Sequence, residues 1–286
     1  MKVEIEMQVQ IFFGGLGNQL FQFANLMHLI QISSDTSYLS ATSKISNRPF
    51  ALQNLISEST FSKRIFYQNS IGEYLLGKVV SNQLKKHEKI PTQVVQKNDK
   101  ELVQEFNIFG KRFEIHMGYY QTAEIVQAFE KPIFNSLQTY LDKNHPANLE
   151  KKKSNYLALH IRRGDYIRDN HGYLSLQYYL DLISKHPNLP IHIHTDDHAI
   201  GSNLKRQVGQ DTKIFGPENS AWHVLSDLSQ ATVVISANSS LSWWGGWMAQ
   251  MNGGKMVIPS IWNKMKNQSS IEIQYPGFHL ENSQWE

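Results

Sequence analysis

The stretch Tyr156-Leu157-Ala158-Leu159-His160-Ile161-Arg162-Arg163-Gly164-Asp165-Tyr166 decides the fold class of this chain. Its apolar first half predicts a buried strand, and the Arg-Arg-Gly that follows places two guanidinium groups at the carboxyl end of that strand. Ligands of open α/β sheets bind at this edge. Because arginine stays charged and forms paired hydrogen bonds with phosphate oxygens, the stretch favours a site for a phosphorylated small molecule. Taken alone, two surface arginines after a strand explain it equally well.

The second half of the chain repeats this pattern of short apolar runs separated by segments of helical length. The runs cover residues 156–161, 191–194, 233–235 and 256–259. Strands that alternate with helices indicate βαβ units and a parallel sheet. The predicted fold class is therefore α/β.

The N-terminal region predicts a first strand over residues 9–13, then a glycine-rich turn and a helix. The turn is Gly14-Gly15-Leu16-Gly17-Asn18, and apolar side chains at helical spacing indicate the helix: Leu20, Phe23, Ala24, Met27 and Ile30. Glycine lets a ligand approach the backbone closely, and amide groups at a helix start favour an anion or a polar ligand. The spacing is not G-x-G-x-x-G, so we predict no dinucleotide site. A purely structural turn stays open as the alternative.

Composition excludes several kinds of site and partner. The chain carries 28 Lys and Arg against 25 Asp and Glu, a net charge of +3, and this weak excess does not suggest nucleic-acid binding. It has no cysteine, which excludes disulfides, thiol catalysis and cysteine-bound zinc. The chain has no apolar run of about 20 residues, so no transmembrane helix is predicted. Residues 1–7 alternate apolar and charged side chains, unlike a secretory signal.

Length and one polar segment predict two lobes. A chain of 286 residues suits one large domain or two lobes, and residues 144–153 form a polar stretch with a proline and three consecutive lysines. We expect an N-terminal lobe over residues 1–150 and a C-terminal lobe over residues 151–286, with a C-terminal tail that packs back on the first lobe. Between residues 33 and 144 the pattern is weak, apart from an aromatic turn, Gly118-Tyr119-Tyr120-Gln121.

A second strand end carries polar residues that suit a phosphate. The run at 233–235 leads into Asn238-Ser239-Ser240-Leu241-Ser242, where a helix is expected to begin with Ser or Asn as its N-cap. Helix capping explains these residues by itself, but amide and hydroxyl groups at a helix start also hold phosphate. Together with the two arginines of the same lobe, they predict the two walls of a diphosphate clamp.

The acidic and histidine residues near the third strand end have several interpretations. Asp196 and Asp197 could bind a ribose or base, lie in a solvated turn, or hold a divalent metal. Metal is the least favoured, because two arginines already neutralise a diphosphate. His192 and His194 lie two residues apart on a predicted buried strand, which favours core histidines with satisfied nitrogens over a metal cluster. No Ser-His-Asp order or nucleophile elbow indicates a hydrolase triad.

Three motifs resemble the signatures of the α-1,2-fucosyltransferases of glycosyltransferase family 11. They are Gly14-Gly15-Leu16-Gly17-Asn18-Gln19-Leu20-Phe21-Gln22-Phe23-Ala24, His160-Ile161-Arg162-Arg163-Gly164-Asp165-Tyr166 and Asn238-Ser239-Ser240-Leu241-Ser242-Trp243-Trp244-Gly245. Thr195-Asp196-Asp197 and Pro259-Ser260-Ile261-Trp262 are weaker matches in the expected order. The resemblance covers residues 12–262, almost the whole chain.

The resemblance implies a GT-B-like fold of two Rossmann-like lobes that face each other across a cleft. The N-terminal lobe would bind the acceptor and the C-terminal lobe GDP-β-L-fucose. L-fucose would pass with inversion, without a metal or other cofactor, to the 2-hydroxyl of a terminal β-galactose on an oligosaccharide or glycolipid. The absence of an anchor suggests a bacterial cytoplasmic enzyme, peripheral at the inner membrane. A fucosyltransferase with another acceptor, and a non-catalytic sugar-nucleotide- or glycan-binding protein, are the alternatives.

The resemblance also assigns roles to single residues. Arg162 would hold the β-phosphate, and Asp165 is the candidate base, with Asp169, Glu124 or no dedicated base as alternatives. The other residues of the donor site would be Gly15, Gly17, Asn18, Gln19, His160, Arg163, Asp196, Asn238, Ser239 and Ser240. The aromatic side chains expected to stack on the acceptor sugar are Tyr119, Tyr120 and Trp243, although core packing is the other expectation for Trp243.

One departure from the family pattern concerns the guanine site. The family's Asp falls near Val224 in this chain, and the nearest carboxylate, Asp227, is offset from that position. Trp222 or Asp196 would then take over recognition of the base.

Overall fold

The structure is a computed structural model of the chain. It describes residues 7–32, 36–40, 48–59, 65–66, 103–108, 111–145, 155–168, 172–209, 211–265 and 267–286. The chain divides into two compact units, Met1–Leu137 and Gln138–Glu286, which we call unit 1 and unit 2. The lobe boundary expected at residues 150–151, and most of the predicted linker, lie outside the described residues. None of the described helices is long and apolar enough to cross a membrane.

Unit 1 contains a sheet of five strands. These are β1 (Met7–Phe12), β2 (Thr36–Ser40), β3 (Ile65–Phe66), β4 (Val103–Ile108) and β5 (Lys111–His116). Their order is β3-β2-β1-β5-β4, and β1 lies parallel to both of its neighbours, β2 and β5. Only β4 runs antiparallel to its neighbour. The predicted first strand is therefore confirmed, and it occupies the centre of the sheet.

The helices of the first half of the chain include one that is buried on nearly every face. They are α1 (Leu16–Ile32), α2 (Gln53–Glu58), α3 (Ala123–Ala128) and α4 (Glu130–Asn144), the last of which contains the division between the units. All five apolar residues that predicted α1 are buried. The helix also buries three amide side chains, Gln19, Gln22 and Asn25. Buried amides need hydrogen-bond partners, so α1 is expected to bind nearby backbone.

Unit 2 contains a sheet of six parallel strands. They are β6 (Leu157–Ile161), β7 (Ile191–Thr195), β8 (Thr212–Phe215), β9 (Val233–Ile235), β10 (Lys255–Pro259) and β13 (His279–Glu281). The order is β8-β7-β6-β9-β10-β13, with all neighbours parallel. The four predicted strands are confirmed, and β8 and β13 are added to them. Numbered within the unit, this is the 3-2-1-4-5-6 order of a Rossmann sheet.

Helices connect these strands. They are α5 (Gly164–Arg168), α6 (Leu176–Ser184), α7 (His198–Val208), α8 (Ala221–Ser229) and α9 (Ser240–Met251). A short antiparallel pair, β11 (Ile261–Asn263) and β12 (Gln268–Ser269), and a 3₁₀ turn at Ser270–Glu272 follow β10. The strand-helix alternation confirms the predicted α/β class.

The strand order places a switch point at the middle of the unit 2 sheet. The chain first winds outward from β6 to β7 and β8, and then returns to add β9 on the other side of β6. In open α/β sheets, ligands bind outside the carboxyl ends of the strands at such a point. The loops after β6 and β9, which carry the Arg-Arg and Asn-Ser-Ser motifs, are therefore the ones that this topology brings together.

The C-terminal segment belongs to unit 2. Its strand β13 pairs with β10 through Val257 and His279, and the expected packing of the tail on the first lobe stays a prediction. Beyond β13, Ser175 donates its backbone N–H to Gln284 at 2.7 Å, and Glu286 reaches the loop after β6. The tail thus completes the sheet and contacts the edge where ligands are expected.

Helix α9 packs unusually close to its neighbours because two of its residues are glycines. A Cβ on Gly245 would lie 2.5 Å from the Cβ of Leu228 in α8, and a Cβ on Gly246 would overlap the sulfur of Met256 in β10. The same helix buries three tryptophans completely, Trp243, Trp244 and Trp247. The glycines therefore allow three large rings to be accommodated beside a close helix-to-sheet contact.

We expect Gly246→Ala to lower the free energy of unfolding by about 1–3 kcal/mol, because the added methyl group must displace buried Met256. Urea unfolding followed by tryptophan fluorescence measures this. In the double variant with Met256→Ala the space is available, so the combined loss should be smaller than the sum of the single losses. Strict additivity would contradict the packing argument.

Candidate active site

The two motifs of unit 2 lie at neighbouring strand ends. β6 and β9 are directly paired, with Leu159 opposite Ile235, so their following loops start side by side. The Tyr166 hydroxyl in the first loop donates a hydrogen bond to the backbone oxygen of Asn238 in the second, at 2.8 Å. The predicted common edge for the two motifs is confirmed, and a direct hydrogen bond joins their loops.

Arg162 is held between two carboxylates at this edge. One terminal nitrogen lies 2.7 Å from Asp165 Oδ2, and the other lies 3.0 Å from Asp196 Oδ2. Burial opposes the charge of Arg162, but the hydrogen bond and charge of Asp165 and the charge of Asp196 raise its pKa. The guanidinium is therefore a permanent cation with a fixed direction.

Asp196 shapes the arginine loop in two ways. Its Oδ2 atom pairs with Arg162, and its Oδ1 atom accepts the backbone N–H of Arg163 at 2.8 Å. Gly164 is needed beside it, since a Cβ there would lie 3.1 Å from Asp196 Oδ2. A carboxylate expected to bind the ribose or the base thus acts within the protein to orient the loop.

Arg163 contacts different residues from those that contact Arg162. Its guanidinium lies 4.3 Å from the centre of the Tyr173 ring, and one terminal nitrogen lies 3.0 Å from Glu286 Oε2. Nε is 3.5 Å from Asp197 Oδ2, too long for a good hydrogen bond. Only 13% of the side chain is exposed. Arg163 therefore attaches the C-terminal segment to the loop, and the donor-binding role expected for it stays a prediction.

His160 is a buried neutral side chain. Burial, with the charges of Arg162 and His194, lowers its pKa to about 3. It therefore contributes no positive charge at neutral pH, and Arg162 is the charged group that this loop offers to an anion. Among the described residues, His160 Nδ1, Ser236 Oγ and Asn238 Oδ1 have no hydrogen-bond partner. Buried polar atoms in proteins are normally paired, so these three at adjacent strand ends indicate a place for water or ligand.

The start of α9 is not capped in the predicted way. Ser239 is the N-cap residue, but its side chain accepts no capping hydrogen bond. Ser242 Oγ instead donates to the backbone oxygens of Ser239 and Ala237, at 3.0 and 3.3 Å. The amide groups of the first turn of a 12-residue helix thus lie at the same edge as Arg162, where they favour an anion.

Asp227 is a partly buried carboxylate of unit 2 that contacts two histidines. His192 Nδ1 lies 2.9 Å and His194 Nε2 lies 2.6 Å from its Oδ2 atom, and the Tyr156 hydroxyl contacts its backbone oxygen. Burial opposes its charge, but the two histidine hydrogen bonds lower the pKa of Asp227 well below the usual value. The prediction of a core histidine is confirmed for His194, which is completely buried, but its Nδ1 atom has no hydrogen-bond partner among the residues that the structure describes, so the expectation of satisfied nitrogens holds only for the two nitrogens that contact Asp227. Both histidine rings contact the Asp227 carboxylate, so this geometry does not favour guanine recognition by Asp227.

Unit 1 has a second edge of the same kind. The loop after β1 and the turn after β5 follow two parallel neighbours, in which Val9 lies opposite Ile115. Gln121 Nε2 donates to Asn18 Oδ1 at 2.8 Å, and the Tyr119 ring lies 5.0 Å from the ring of Phe13. Side-chain contacts therefore join the glycine-rich motif to the aromatic turn.

The buried amides of α1 hold this edge together. Gln22 accepts the backbone N–H of Phe13 and donates to the backbone oxygen of Gly118, both at 3.0 Å. Gln19 donates to the backbone oxygens of Gly14 and Pro49, at 2.8 and 2.9 Å, and accepts from Ala51 at 2.9 Å. One helix thus fixes both loops through its side chains.

Comparison with known proteins gives the family. The sequence model of glycosyl transferase family 11 matches residues 4–277. The chain belongs to glycosyl transferase family 11. The predicted membership is confirmed.

Two curated proteins of Escherichia coli are relatives of this family 11 chain. The O-antigen biosynthesis glycosyltransferase WbnK is 24% identical over 297 residues, which cover 91% of this chain and 96% of WbnK. An alpha-1,2-colitosyltransferase is 28% identical over 154 residues, which cover 50% of this chain and 52% of that protein.

Solved structures place the chain among the GT-B glycosyltransferases. The NodZ alpha-1,6-fucosyltransferase soaked with GDP-fucose has a TM-score of 0.53 at 12% identity, covering 86% of this chain and 93% of NodZ. NodZ from Bradyrhizobium, in another crystal structure, has a TM-score of 0.50 at 11% identity, covering 85% and 93%. At this identity the likeness concerns the fold, and it confirms the predicted GT-B class.

Several of the predicted family 11 site residues have other roles in the structure. Gln19 is completely buried and its side chain is held by backbone partners, so that side chain is not presented to a ligand; Gly17 lies within the buried start of α1. Of the aromatic candidates, Trp243 is fully buried with its indole N–H on the backbone oxygen of Ile273 at 2.7 Å, and Tyr120 is 4% exposed. Neither ring has a face available to a sugar, whereas Tyr119 is only partly buried.

The structure also shows where most of the candidate catalytic bases and guanine-binding residues lie. Asp165 is engaged by Arg162, Asp169 lies outside the described residues, and Glu124 is exposed in the first turn of α3. Trp222 packs 4.5 Å from Tyr140, ring centre to ring centre. No sequence pattern indicated Tyr173, Glu286 or Gln22, because their roles depend on contacts between distant segments. Within the described part of the chain, no three His, Asp or Glu side chains are arranged to hold a metal ion.

We expect Asp196→Asn to reduce kcat/KM for the sugar-nucleotide donor by about 10- to 100-fold, because it removes the charge of a partly buried carboxylate that pairs with Arg162. Steady-state kinetics with varied donor measures this. Asp197→Asn is the matched control: Asp197 caps α7 and lies only 3.5 Å from Arg163, a weak ion pair, so kcat/KM should stay within about threefold. Equal losses in both variants would rule out a specific role for Asp196.

The free energy of unfolding should fall in acid because His160 is neutral when folded. Its folded pKa is about 3 and an unfolded histidine has a pKa of about 6.5, so between these values the unfolded chain binds one more proton. Stability from this group is complete above pH about 6.5 and decreases by about 1.4 kcal/mol per pH unit below it. Chemical unfolding at several pH values should show a slope flatter by that amount in His160→Gln. An unchanged slope, or the same flattening in the exposed His279→Gln, would contradict this.

Proposed function

We propose that this family 11 glycosyltransferase moves L-fucose from GDP-β-L-fucose, with inversion and without a metal, to the 2-hydroxyl of a terminal β-galactose. The observation that carries the proposal is Arg162, a fixed cation beside the start of α9 at the switch point of the unit 2 sheet. The NodZ structure soaked with GDP-fucose shares this fold, and the relative with alpha-1,2 in its name is a colitosyltransferase. Donor, linkage and acceptor follow from the motif resemblance.

The leaving group explains why a fixed cation is useful. Breaking the fucosyl–phosphate bond leaves negative charge on GDP and positive character on the sugar. Preorganised donors at the developing charge are commonly the largest catalytic contribution. In this proposal Arg162 and the first-turn amides of α9 stabilise the diphosphate, and His160, Ser236 and Asn238 offer neutral polar atoms beside it. Ser239 and Ser240 offer hydroxyl groups at the same helix start.

The unit 1 edge supplies the other proposed contacts. Asn18 donates to an oxygen of the sugar nucleotide from the glycine-rich loop, where Gly15 leaves the backbone accessible: a Cβ there would meet nothing within 4 Å. Tyr119 presents the partly buried ring that stacks on an acceptor sugar. The proton of the acceptor hydroxyl goes to Glu124, to Asp169 or to solvent, since Asp165 already binds Arg162.

A second donor is favoured by the colitosyltransferase relative. Colitose differs from L-fucose by lacking the 3-hydroxyl group, and both sugars leave from GDP. The contacts proposed for Arg162 and α9 involve only the diphosphate, so they serve either donor equally. Initial rates with GDP-fucose and GDP-colitose, each with a panel of galactosides, identify the donor and the acceptor together.

The relative named for O-antigen biosynthesis supports a proposal about the acceptor and the place of the reaction. We propose a lipid-linked glycan as acceptor, modified at the cytoplasmic face of the inner membrane. A glycan-binding protein without activity is the competing proposal. Release of GDP from the sugar nucleotide that rises when lactose is added supports the enzyme, and binding without release supports the other.

We expect Arg162→Ala to lower kcat by about 10²–10³-fold, because it removes a preorganised charge at the leaving group. Arg162→Lys keeps the charge but loses the fork geometry and should lie between wild type and Arg162→Ala. Coupled detection of GDP release measures both. Arg168→Ala, an exposed arginine at the end of α5, is the control and should keep wild-type turnover. A folded Arg162→Ala variant with near wild-type kcat would refute the proposed role.

A further inference from the structure

Gln121 is a residue of the aromatic turn to which the motif comparison gave no role. We propose that Gln121 is a positioning residue, which holds the amide of Asn18 in the orientation that donates hydrogen bonds to the sugar nucleotide. The proposal rests on the proposed function, in which Asn18 contacts the donor. It identifies a residue that acts through Asn18, without itself touching the ligand.

The orientation of the Asn18 amide follows from its contact with Gln121. The Nε2 group of Gln121 donates to Asn18 Oδ1 at 2.8 Å, and Asn18 is only partly buried. An amide has one acceptor side and one donor side, so a donor placed at Oδ1 fixes which way the NH₂ group points. That group lies over the glycine-rich loop, where a Cβ on Gly14 would be 3.0 Å from Asn18 Nδ2.

Gly14 is suited to this arrangement for two reasons. Its φ of +80° lies in the region that favours glycine. Its bare Cα also lets Asn18 approach the loop, because a Cβ would lie 3.3 Å from Asn18 Cβ, and the Tyr119 ring lies next to the same position. The Asn18 amide, the glycine loop and the Tyr119 ring therefore form one continuous group at the unit 1 edge.

The backbone of the turn directs Gln121 toward Asn18. Tyr120, the preceding residue, has a φ of +51°, which is uncommon for a residue with a large side chain. The Thr122 N–H donates to the backbone oxygen of Tyr120 at 2.8 Å, and Gln22 fixes the start of the turn at Gly118. Conformations of this kind persist only when their surroundings impose them, and they concentrate at functional sites.

The chemistry of the ligand explains why the amide orientation matters. The oxygens of a diphosphate accept hydrogen bonds, and the hydroxyl oxygens of a sugar can accept them as well. An Asn18 amide that presents NH₂ is attractive to them, whereas a rotated amide would present a carbonyl oxygen to an anion. Gln121 can keep the first orientation because its own NH₂ group occupies the carbonyl side.

Two variants of similar size separate this role from a structural one. Gln121→Leu removes the hydrogen bond, and kcat/KM for the donor should fall about fivefold. Gln121→Glu presents only acceptor oxygens when ionised, so it favours the rotated amide, and kcat/KM should fall about 100-fold. Melting temperatures should stay within about 3 °C of wild type for both. Gln127→Glu, an exposed position on α3, controls for added negative charge and should have little effect on kcat/KM.

The Asn18→Ala background tests whether Gln121 acts through Asn18. There, Gln121→Glu should cause no further loss beyond about twofold, because coupled residues are strongly non-additive. A Gln121→Glu variant no worse than Gln121→Leu, or a loss that persists in full without Asn18, would overturn the proposal. Asn18→Ala with wild-type kinetics would do the same.

The proposed function is tested separately by the wild-type protein. Failure of the wild type to turn over any GDP-sugar would refute the function. In that case calorimetric dissociation constants for GDP-fucose, measured on the same variants, still decide the role of Gln121. Affinity that falls in the order wild type, Gln121→Leu, Gln121→Glu supports the proposal, and equal affinities overturn it.

Discussion

The edge of unit 2 at which we propose the donor binds depends on the charge group of Arg162, Asp165 and Asp196. Burial alone would make a guanidinium at the end of β6 unfavourable, and the two carboxylates reverse this. They come from different elements, one from the first turn of α5 and one from the end of β7. Asp165 accepts a hydrogen bond from one terminal nitrogen of the guanidinium and Asp196 forms an ion pair with the other, so the direction of the guanidinium is fixed before any ligand binds.

The same charge group limits what Arg162 can do alone. With Asp165 and Asp196 ionised, the three side chains carry a net charge of −1, so an incoming diphosphate meets a directed cation in surroundings that are not positive overall. Neutral donors must then contribute to anion binding. The start of α9 offers such donors, since the side chain of Ser239 leaves the first-turn amides without a side-chain cap. The proximity of β6 and β9 is therefore as important as the arginine itself.

Asp227 shows how one helical turn changes the role of a carboxylate. Val224, Leu225 and Leu228 on α8 are buried, whereas Asp227 on the same helix is only partly buried. Its carboxylate is stable there because His192 and His194 bring hydrogen bonds to it from β7. The offset from the family position, seen in the sequence, thus corresponds to a carboxylate that is paired with two histidines within unit 2.

The sequence predicted what depends on local pattern and missed what depends on distant contacts. Buried central strands such as β6 are continuous apolar runs, whereas β13, His279–Glu281, is polar and partly exposed and gives no such signal. The polar residues of α1 have the spacing of a solvated face, yet Gln19 and Gln22 bind backbone from three other segments. The partner of Arg163, Glu286, lies 123 positions away. No local pattern predicts such a pair.

In both units, two loops from distant segments must be held together at the sheet edge where we propose that ligands bind. In each sheet the first strand lies beside a strand from later in the chain, so the two loops of the edge belong to segments that are far apart in sequence. Pairing of the strands fixes where the loops begin but not how they continue. A side-chain hydrogen bond supplies the missing constraint, from Tyr166 to Asn238 in unit 2 and from Gln121 to Asn18 in unit 1. A bound group is positioned well only when the residues that hold it are themselves held, and these two bonds meet that requirement.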